Sequence, residues 1–287
     1  MRKKVRIAVI PAAGFGTRFL PATKELPKEM LPIIDIPTIQ YLVNEAIESG
    51  VEEVIIVTSR DKPAIESYFS KNEKLDLFLR NRGNSALADS LLFPAKNAKI
   101  TFVYQDKPLG LGHAIYCVKD YVKKQPFGVI LGDDIVDNPR GKTALKQLIT
   151  AYQKTESTII GVQSVSDQDI SKYGSISPDL EGRLGAINRI IEKPKAEEAP
   201  SLLASLGRYL LTHDIFEALE NTPAGKNGEL QLTDAFNTLL GAGKPVYALN
   251  FKGNHFDIGD KAQYVNAIVY FAHKRSDIAP YLKKKGK

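Results

Sequence analysis

The chain of 287 residues has a single cysteine, Cys117. That excludes an intrachain disulfide and any metal site built from several thiolates, and it fits a reducing compartment, the cytoplasm. No apolar run reaches the roughly 18 residues that a membrane span requires. The basic start, Met1-Arg2-Lys3-Lys4, leads into an apolar segment too short for a secretion signal. Excess charge of one sign is also missing: the net charge is +6, and part of it sits in Lys283, Lys284, Lys285 and Lys287. With no arginine-rich face and no interleaving of basic and aromatic residues, a nucleic-acid partner is not expected, whereas a small anionic substrate suits the mild positive balance. No repeat or low-complexity linker interrupts the chain. With hydrophobic residues at 43% and charged residues at 25%, it is expected to be one soluble α/β domain over residues 1–287 with a sizeable core.

What is present begins with residues 5–28. Residues 5–10 form an apolar, β-branched run that predicts a buried strand. The run breaks into Pro11-Ala12-Ala13-Gly14-Phe15-Gly16-Thr17-Arg18. Small residues there let the backbone approach a ligand, glycines allow turns that a Cβ would forbid, and backbone N–H groups can cradle phosphates. Arg18 adds a bidentate fork and Lys28 a point charge. A phosphate site is the leading expectation, with an ordinary strand-to-helix turn as the plainer one. Phe19 stands where a dinucleotide fingerprint needs its third glycine, and the Lys-Ser/Thr ending of a P-loop is absent. Phe19, and the need for a ribose-binding acid about 20 residues on in a βαβ context, disfavour a dinucleotide oxidoreductase.

Further along, periodicity predicts a helix over 38–49 closed by Gly50 and a strand over 54–58, together a βαβ unit with a parallel sheet. Residues 61–79 read as one helix, 80–98 as a surface helix, 99–105 as a strand and 110–122 as a helix opened by a second glycine turn. Strands are expected at 127–131 and 158–165, with a helix at 142–155 between them. Short strands at 174–178 and 184–192 suggest an antiparallel insertion beside the parallel sheet. A strand at 206–211, helices at 214–221 and 231–240 (the latter capped by Glu229 or a neighbour) and a strand at 246–251 follow. Asp257 comes after a short hairpin, and a last helix covers 261–274.

Several groups of residues carry candidate chemistry. Gly132-Asp133-Asp134 ends a buried strand, the edge where open α/β sheets bind ligands. A carboxylate there is a candidate Mg²⁺ ligand or, equally, a helix cap. Gln105, before Pro108-Leu109-Gly110-Leu111-Gly112-His113, has an amide able to pair with both edges of a base such as uracil, or it is a surface glutamine before a turn. His113 is expected to be structural, at a helix start that disfavours its protonated form. Glu192-Lys193 reads by itself as an exposed charge pair of small worth.

The string PAAGFGTRFLPATKELPKEMLPI resembles the G-x-G-T-R…P-K signature of the sugar-1-phosphate nucleotidyltransferases, in detail the bacterial UTP–glucose-1-phosphate uridylyltransferases. QDKPLGLGHA, LGDD, IEKP, the sugar-side segments Tyr173-Gly174 and Gly207-Arg208-Tyr209, GELQLTD and Phe256-Asp257-Ile258-Gly259 resemble further motifs of that family, so the similarity spans nearly the whole chain. The resemblance implies a Rossmann-like mixed, mostly parallel sheet flanked by helices. Residues 1–165 would be mainly the nucleotide half, 166–260 mainly the sugar half and 261–287 the C-terminal helices. It implies that Asp133 and Asp257 bind Mg²⁺ and that Arg18, Lys28 and Lys193 are catalytic. Ala12, Ala13, Gly14, Gln105 and Gly110 would bind the nucleotide. Gly174, Glu192 and Glu229 would bind the sugar side, and Glu29 would also be substrate-binding. UTP and glucose 1-phosphate would be the substrates and a homodimer or homotetramer the assembly, with no membrane or nucleic-acid partner. The alternatives are a thymidylyltransferase, a uridylyltransferase for another sugar phosphate, and a weakly active paralogue that binds UDP-sugar.

Overall fold

Short runs of Val and Ile bounded by glycine and proline condense into the middle of one sheet. The computed structural model describes residues 4–91, 97–179, 184–225 and 228–282. Strand β1 (Ile7–Pro11) is followed by three 3-10 turns, Thr17–Phe19, Ala22–Lys24 and Lys28–Met30, and by a small ribbon of β2 (Pro32–Ile33) and β3 (Ile36–Pro37). Helix α1 (Thr38–Glu48) then leads to β4 (Glu53–Thr58). After α2 (Pro63–Phe69), α3 (Glu73–Asn81) and α4 (Ser85–Ser90) comes β5 (Lys99–Tyr104). Helices α5 (Leu111–Tyr116) and α6 (Lys119–Val122) precede β6 (Phe127–Ile130) and β7 (Asp134–Asp137). Helix α7 (Ala144–Thr155), β8 (Thr158–Ser164), β9 (Gly174–Asp179), β10 (Leu184–Glu192) and β11 (Leu203–Leu211) follow. The chain closes with α8 (Asp214–Asn221), α9 (Leu232–Gly241), β12 (Val246–Asn250), β13 (Asn254–Asp257) and α10 (Lys261–Lys274).

The nine-stranded sheet runs β5-β4-β1-β6-β11-β8-β12-β10-β9. Strands β5, β4, β1 and β6 are mutually parallel, as are β8 and β12, while β11 runs antiparallel to both β6 and β8. Chain order reverses between β1 and β6, and the crevice beyond the C-terminal ends of two such strands is where open α/β sheets bind ligands. The glycine turn leaves β1 at that edge and Asp133 leaves β6 there. Buried residues fill both faces of the sheet, as expected when helices cover each side. Among the described residues, no helix is long and apolar enough to cross a membrane.

Several expectations from the sequence need correction. The helix expected over 61–79 is two helices, because Ser70 is extended and Asn72 caps α3 by accepting from Leu75 N. Within 80–98 the described residues hold the end of α3, α4 and a helical Asn97, and Leu92 and Phe93 lie outside the described residues. Residues 110–122 likewise form two short helices. The expected antiparallel insertion is present as β9 and β10: β10 pairs with β12 and β9 pairs with both β10 and β11, all antiparallel, which extends the main sheet. Of Glu229 and its neighbours, it is Gln231 that stands at the cap of α9, without a side-chain bond there. Asp257 does not follow a hairpin with β12. It ends β13, which pairs antiparallel with β7 and puts Asp257 opposite Asp134.

One buried ion pair joins these layers below the ligand edge. Arg208, on β11, is wholly buried and grips Glu45 of α1 with Nε and Nη2 at 2.7–3.2 Å. Its Nη2 also donates to the Asp134 carbonyl at 2.8 Å, and Glu45 Oε1 accepts from Leu145 N at 3.0 Å. Arg208 therefore points into the interior and not toward a sugar, as the resemblance had suggested. Breaking a buried pair by deleting one partner leaves an uncompensated charge. Glu45→Ala is expected to lower unfolding stability by about 3 kcal/mol, measured by urea denaturation, and a loss within experimental error would contradict this account.

Candidate functional site

The glycine turn is held from beneath by a lysine that the sequence did not single out. Lys62 is buried, and its Nζ donates to the carbonyls of Ala12 at 2.8 Å and Gly14 at 2.5 Å and to Glu29 Oε2 at 3.0 Å. Burial lowers the pKa of this lysine and raises that of Glu29, each against the pull of its partner. Glu29 is fully buried, and its Oε1 has no hydrogen-bond partner among the described residues. The pair pegs the turn with its carbonyls turned inward, and among the described residues the backbone N–H groups from Ala13 to Arg18 donate to no protein acceptor. Of the two glycines, only Gly16 needs its freedom, with φ of +65° and an ideal Cβ 3.0 Å from Lys28 Cβ. Gly14 has an ordinary φ, and a Cβ there would meet nothing within 4 Å. The signal for Lys62 was a lone basic residue before Pro63 at a helix start, which reads as surface until the fold carries it under the turn.

Acidic groups gather across the crevice. Asp133 Oδ2 accepts from Lys28 Nζ at 2.6 Å and from Arg18 Nη2 at 3.4 Å. Burial would raise the Asp133 pKa, but Lys28 first and then Arg18 hold it below the usual carboxylate range. Burial likewise opposes the charge on Lys28, and Asp133 and Glu29 together raise its pKa. Asp257 accepts from Gly259 N at 2.9 Å and from the Tyr173 hydroxyl at 3.3 Å. Its pKa is pushed up to about 6, by burial first and then by Asp134 and Asp133. The glycine at 259 shows how close the groups stand. A Cβ there would lie 2.7 Å from Arg18 Nη2, 2.8 Å from Asp133 Oδ2 and 3.0 Å from Asp257 Oδ1. Asp134, opposite Asp257 in the ribbon, accepts from His255 Nε2 at 2.5 Å. The sequence marked Asp133 and Asp134 together as candidate carboxylates but gave no sign of His255 or of the strand β7 that sets Asp134 opposite Asp257.

Asp133 and Asp257 fit a hard divalent cation. Among the described residues no three His, Cys, Asp or Glu side chains form a ready cage. Mg²⁺ does not need one: it takes one or two carboxylates and fills its octahedron with water and substrate phosphates. The raised pKa of Asp257 shows a carboxylate short of positive charge beside an open cleft, which is the electrostatic condition such an ion relieves.

The cleft has two lobes that share Leu111, Leu131, Asp133 and Glu229. The smaller, about 290 Å³, lies against Ala13, Gly14, Gln105 and Gly110. Gln105 is buried, and its Nε2 donates to the Gly110 carbonyl at 3.1 Å. Gly110 needs φ of +96°, and a Cβ there would strike the Leu230 carbonyl at 2.6 Å. Ala12 is buried behind the turn, its N–H bonded to Val57 O. The larger lobe, about 530 Å³, is lined by Arg18, Gly174, Glu192, Lys193, Glu229 and Asp257, among others. Burial raises the Glu192 pKa. Lys193 has a left-handed φ of +43°, uncommon for a residue with a side chain. Its backbone N–H bonds Tyr173 O at 3.1 Å, and its exposed ammonium stands 3.8 Å from Glu192 Oε1. Glu229 accepts from Gln231 Nε2 at 2.9 Å.

A family model described as nucleotidyl transferase matches residues 7–274. The chain is 45% identical to the UTP–glucose-1-phosphate uridylyltransferase 2 of Staphylococcus saprophyticus, covering 98% of each, and 44% identical to the UTP–glucose-1-phosphate uridylyltransferase of Bacillus subtilis, covering 98% of this chain and 97% of the relative. Among solved structures it is similar to a UDP-glucose pyrophosphorylase complexed with UDP-glucose, with TM-score 0.86, 40% identity and coverage of 94% of this chain and 100% of that one. A UTP-bound UGPase from Acinetobacter baumannii matches with TM-score 0.89, 36% identity and coverage of 96% and 95%.

The carboxylate crowding has a measurable sign. A folded pKa of about 6 at Asp257 lies above the ordinary value near 3.9. The folded chain therefore binds the extra proton, and the stability this residue contributes is present below about pH 4 and lost as pH rises through about 6. Without divalent metal, Asp257→Asn is expected to gain stability relative to the unsubstituted chain across that window, by up to about 3 kcal/mol. Added Mg²⁺ should reverse the order at pH 7.5 by stabilising only the unsubstituted chain. Thermal melts at pH 4 and pH 7.5, with and without the ion, check both statements; a pH-independent difference contradicts the first.

Proposed function

The chain belongs to the nucleotidyl transferase family, among the UTP–glucose-1-phosphate uridylyltransferases, and from that premise we propose that it joins UTP and α-D-glucose 1-phosphate into UDP-glucose and pyrophosphate. The observation that carries this reading is the meeting of Lys28 and Arg18 with the Asp133 and Asp257 carboxylates beside an open glycine turn. A phosphate oxygen of glucose 1-phosphate attacks the α-phosphorus of UTP, the new P–O bond forms, and the bond to the β-phosphate breaks with pyrophosphate leaving. The attacking oxygen is already ionised at neutral pH, so no side chain has to take a proton. What opposes reaction is repulsion between two anions, and catalysis is positioning with charge neutralisation.

The larger lobe suits the sugar phosphate. Glu192 and Glu229 accept from sugar hydroxyls, the backbone at Gly174 lies close to the sugar, and Lys193 binds its phosphate. In the smaller lobe, Gln105 and Gly110 face the uracil, and the turn at Ala12, Ala13 and Gly14 runs along base and ribose. Lys28 positions the reacting phosphates, and Arg18 neutralises the leaving pyrophosphate. Glu29 acts through Lys62, holding the turn from within the core. A bound Mg²⁺ would supply further neutralisation at the α-phosphate, held by Asp133 and Asp257.

Pyrophosphate release measured across a panel of nucleoside triphosphates and sugar phosphates is expected to be fastest with UTP and glucose 1-phosphate. Lys193→Ala and Asp133→Ala, each folded by circular dichroism, are expected to lose turnover by about 100-fold or more, the scale seen for single electrostatic groups at a transition state. Near-normal turnover in either variant would remove that residue from the chemistry.

A further inference from the structure

Gln105 is held in one orientation by two acceptors, the Gly110 carbonyl and a histidine outside the cleft. Its Nε2 lies 3.1 Å from the Gly110 carbonyl, which can only accept, so the atom at that position is the amide nitrogen. The same nitrogen lies 2.9 Å from His113 Nδ1. An amide nitrogen donates and cannot accept, so Nδ1 must be the unprotonated nitrogen of a neutral ring with its hydrogen on Nε2. The Cys117 sulfur, 3.7 Å from the same Nδ1, agrees with that choice, since burial keeps it a thiol that can donate. Burial also lowers the His113 pKa, which favours the neutral ring. Both N–H bonds of Gln105 are therefore used inside the protein. The one group it has left is Oε1, which accepts from no described residue. His113 does not line the smaller lobe, although Gln105, Gly110, Leu111 and Ala114 do.

We propose that His113 is the positioning residue that sets base selectivity: it fixes Gln105 so that only an acceptor faces the cleft, and the site thereby takes a ring with an N3–H, uracil or thymine, and rejects cytosine. Uracil presents a hydrogen at N3 to that oxygen. Cytosine presents an N3 lone pair, and the two acceptors repel. Without His113 the second Gln105 N–H loses its partner and the Gly110 carbonyl alone holds the amide, so turning it costs less and its nitrogen can pair with cytosine N3. The inference rests on the nucleotidyl transfer proposed above and on the smaller lobe as the base site.

The test is kcat/KM for UTP and for CTP, with glucose 1-phosphate, in the unsubstituted chain, His113→Leu and His113→Asn. Asparagine puts an amide oxygen near the position of Nδ1 and can accept from Gln105, whereas leucine cannot. The UTP preference of the unsubstituted chain is expected to shrink by about tenfold to a hundredfold in His113→Leu and to survive in His113→Asn. A Leu variant that keeps the full preference overturns the proposal, and so does an Asn variant that loses as much as Leu. Should His113→Leu fail to fold, the ¹⁵N shifts of the His113 ring in the unsubstituted chain decide: a hydrogen on Nε2 supports the proposal and one on Nδ1 overturns it. Absence of transfer to UTP or CTP in the unsubstituted chain would instead defeat the proposed reaction, while equal use of the two would defeat this inference alone.

Discussion

Three carboxylates at one edge of the sheet set the terms for everything around them. Asp134 and Asp257 face each other across a two-stranded ribbon, and Asp133 reaches the same glycine as Asp257. Like charges directly opposite in a ladder are destabilising, and partial burial makes the repulsion worse. The fold bears this cost by giving each carboxylate a different neighbour. Asp133 has Lys28 and Arg18, Asp134 has His255, and Asp257 has the Tyr173 hydroxyl and the Gly259 N–H. Asp257 is the least well compensated, and its raised pKa is the residue of that imbalance. Strain of this kind persists only where surrounding structure over-determines it, and here the Arg208–Glu45 pair pins the Asp134 carbonyl from below.

The opposite wall is built by the same economy applied to cations. Lys62 and Lys28 both lie near Glu29, yet they end in different states. Lys62 is turned inward onto two backbone carbonyls and a buried carboxylate, so its charge is consumed in shaping the turn. Lys28 is turned outward onto Asp133, at the mouth of the cleft. A buried ion pair is weak support for stability by itself, but it is well suited to fixing a backbone whose carbonyls would otherwise line the cleft and repel phosphate. Turning the carbonyls of Ala12 and Gly14 toward Lys62 leaves that face to N–H groups.

Much of this was legible in the chain. The apolar runs at β1, β4, β6, β8 and β12 stood out because buried parallel strands leave no alternation to misread, and the bounds of α8 and α10 followed from their spacing. Arg18, Lys28, Asp133 and Asp257 were visible as motif residues; Arg18, Asp133 and Asp257 do meet around Gly259, and Lys28 joins them through its bond to Asp133. Three things were not legible. Strand β7 is short, polar at both ends and begins at Asp134, so nothing local marks it as a strand until β13 pairs with it. Arg208 carries a charge that composition would put in solvent, and only the contact with Glu45, far away in sequence, lets it be buried. Lys62 is the third: a lysine beside a proline gives no sign that the chain will fold a glycine turn over it. Each of these depends on a partner more than 30 residues distant, as the separations of 163 for Arg208 with Glu45 and 50 for Lys62 with Ala12 illustrate.

The resting contact of Lys28 bears on how such a site takes up its anions. Its ammonium pairs with Asp133 while the cleft is open. On the proposed reading, the phosphates of the substrates and the carboxylate of Asp133 compete for one cation, and Asp133 is itself a residue assigned to hold a second. Loading the site would then exchange partners: Lys28 would pass to phosphate, leaving Asp133, with Asp257, able to hold an ion that would supply further neutralisation. The same preorganised cations that receive the ground-state phosphates are in position when negative charge shifts toward the leaving pyrophosphate, and the protein has little left to reorganise at that moment.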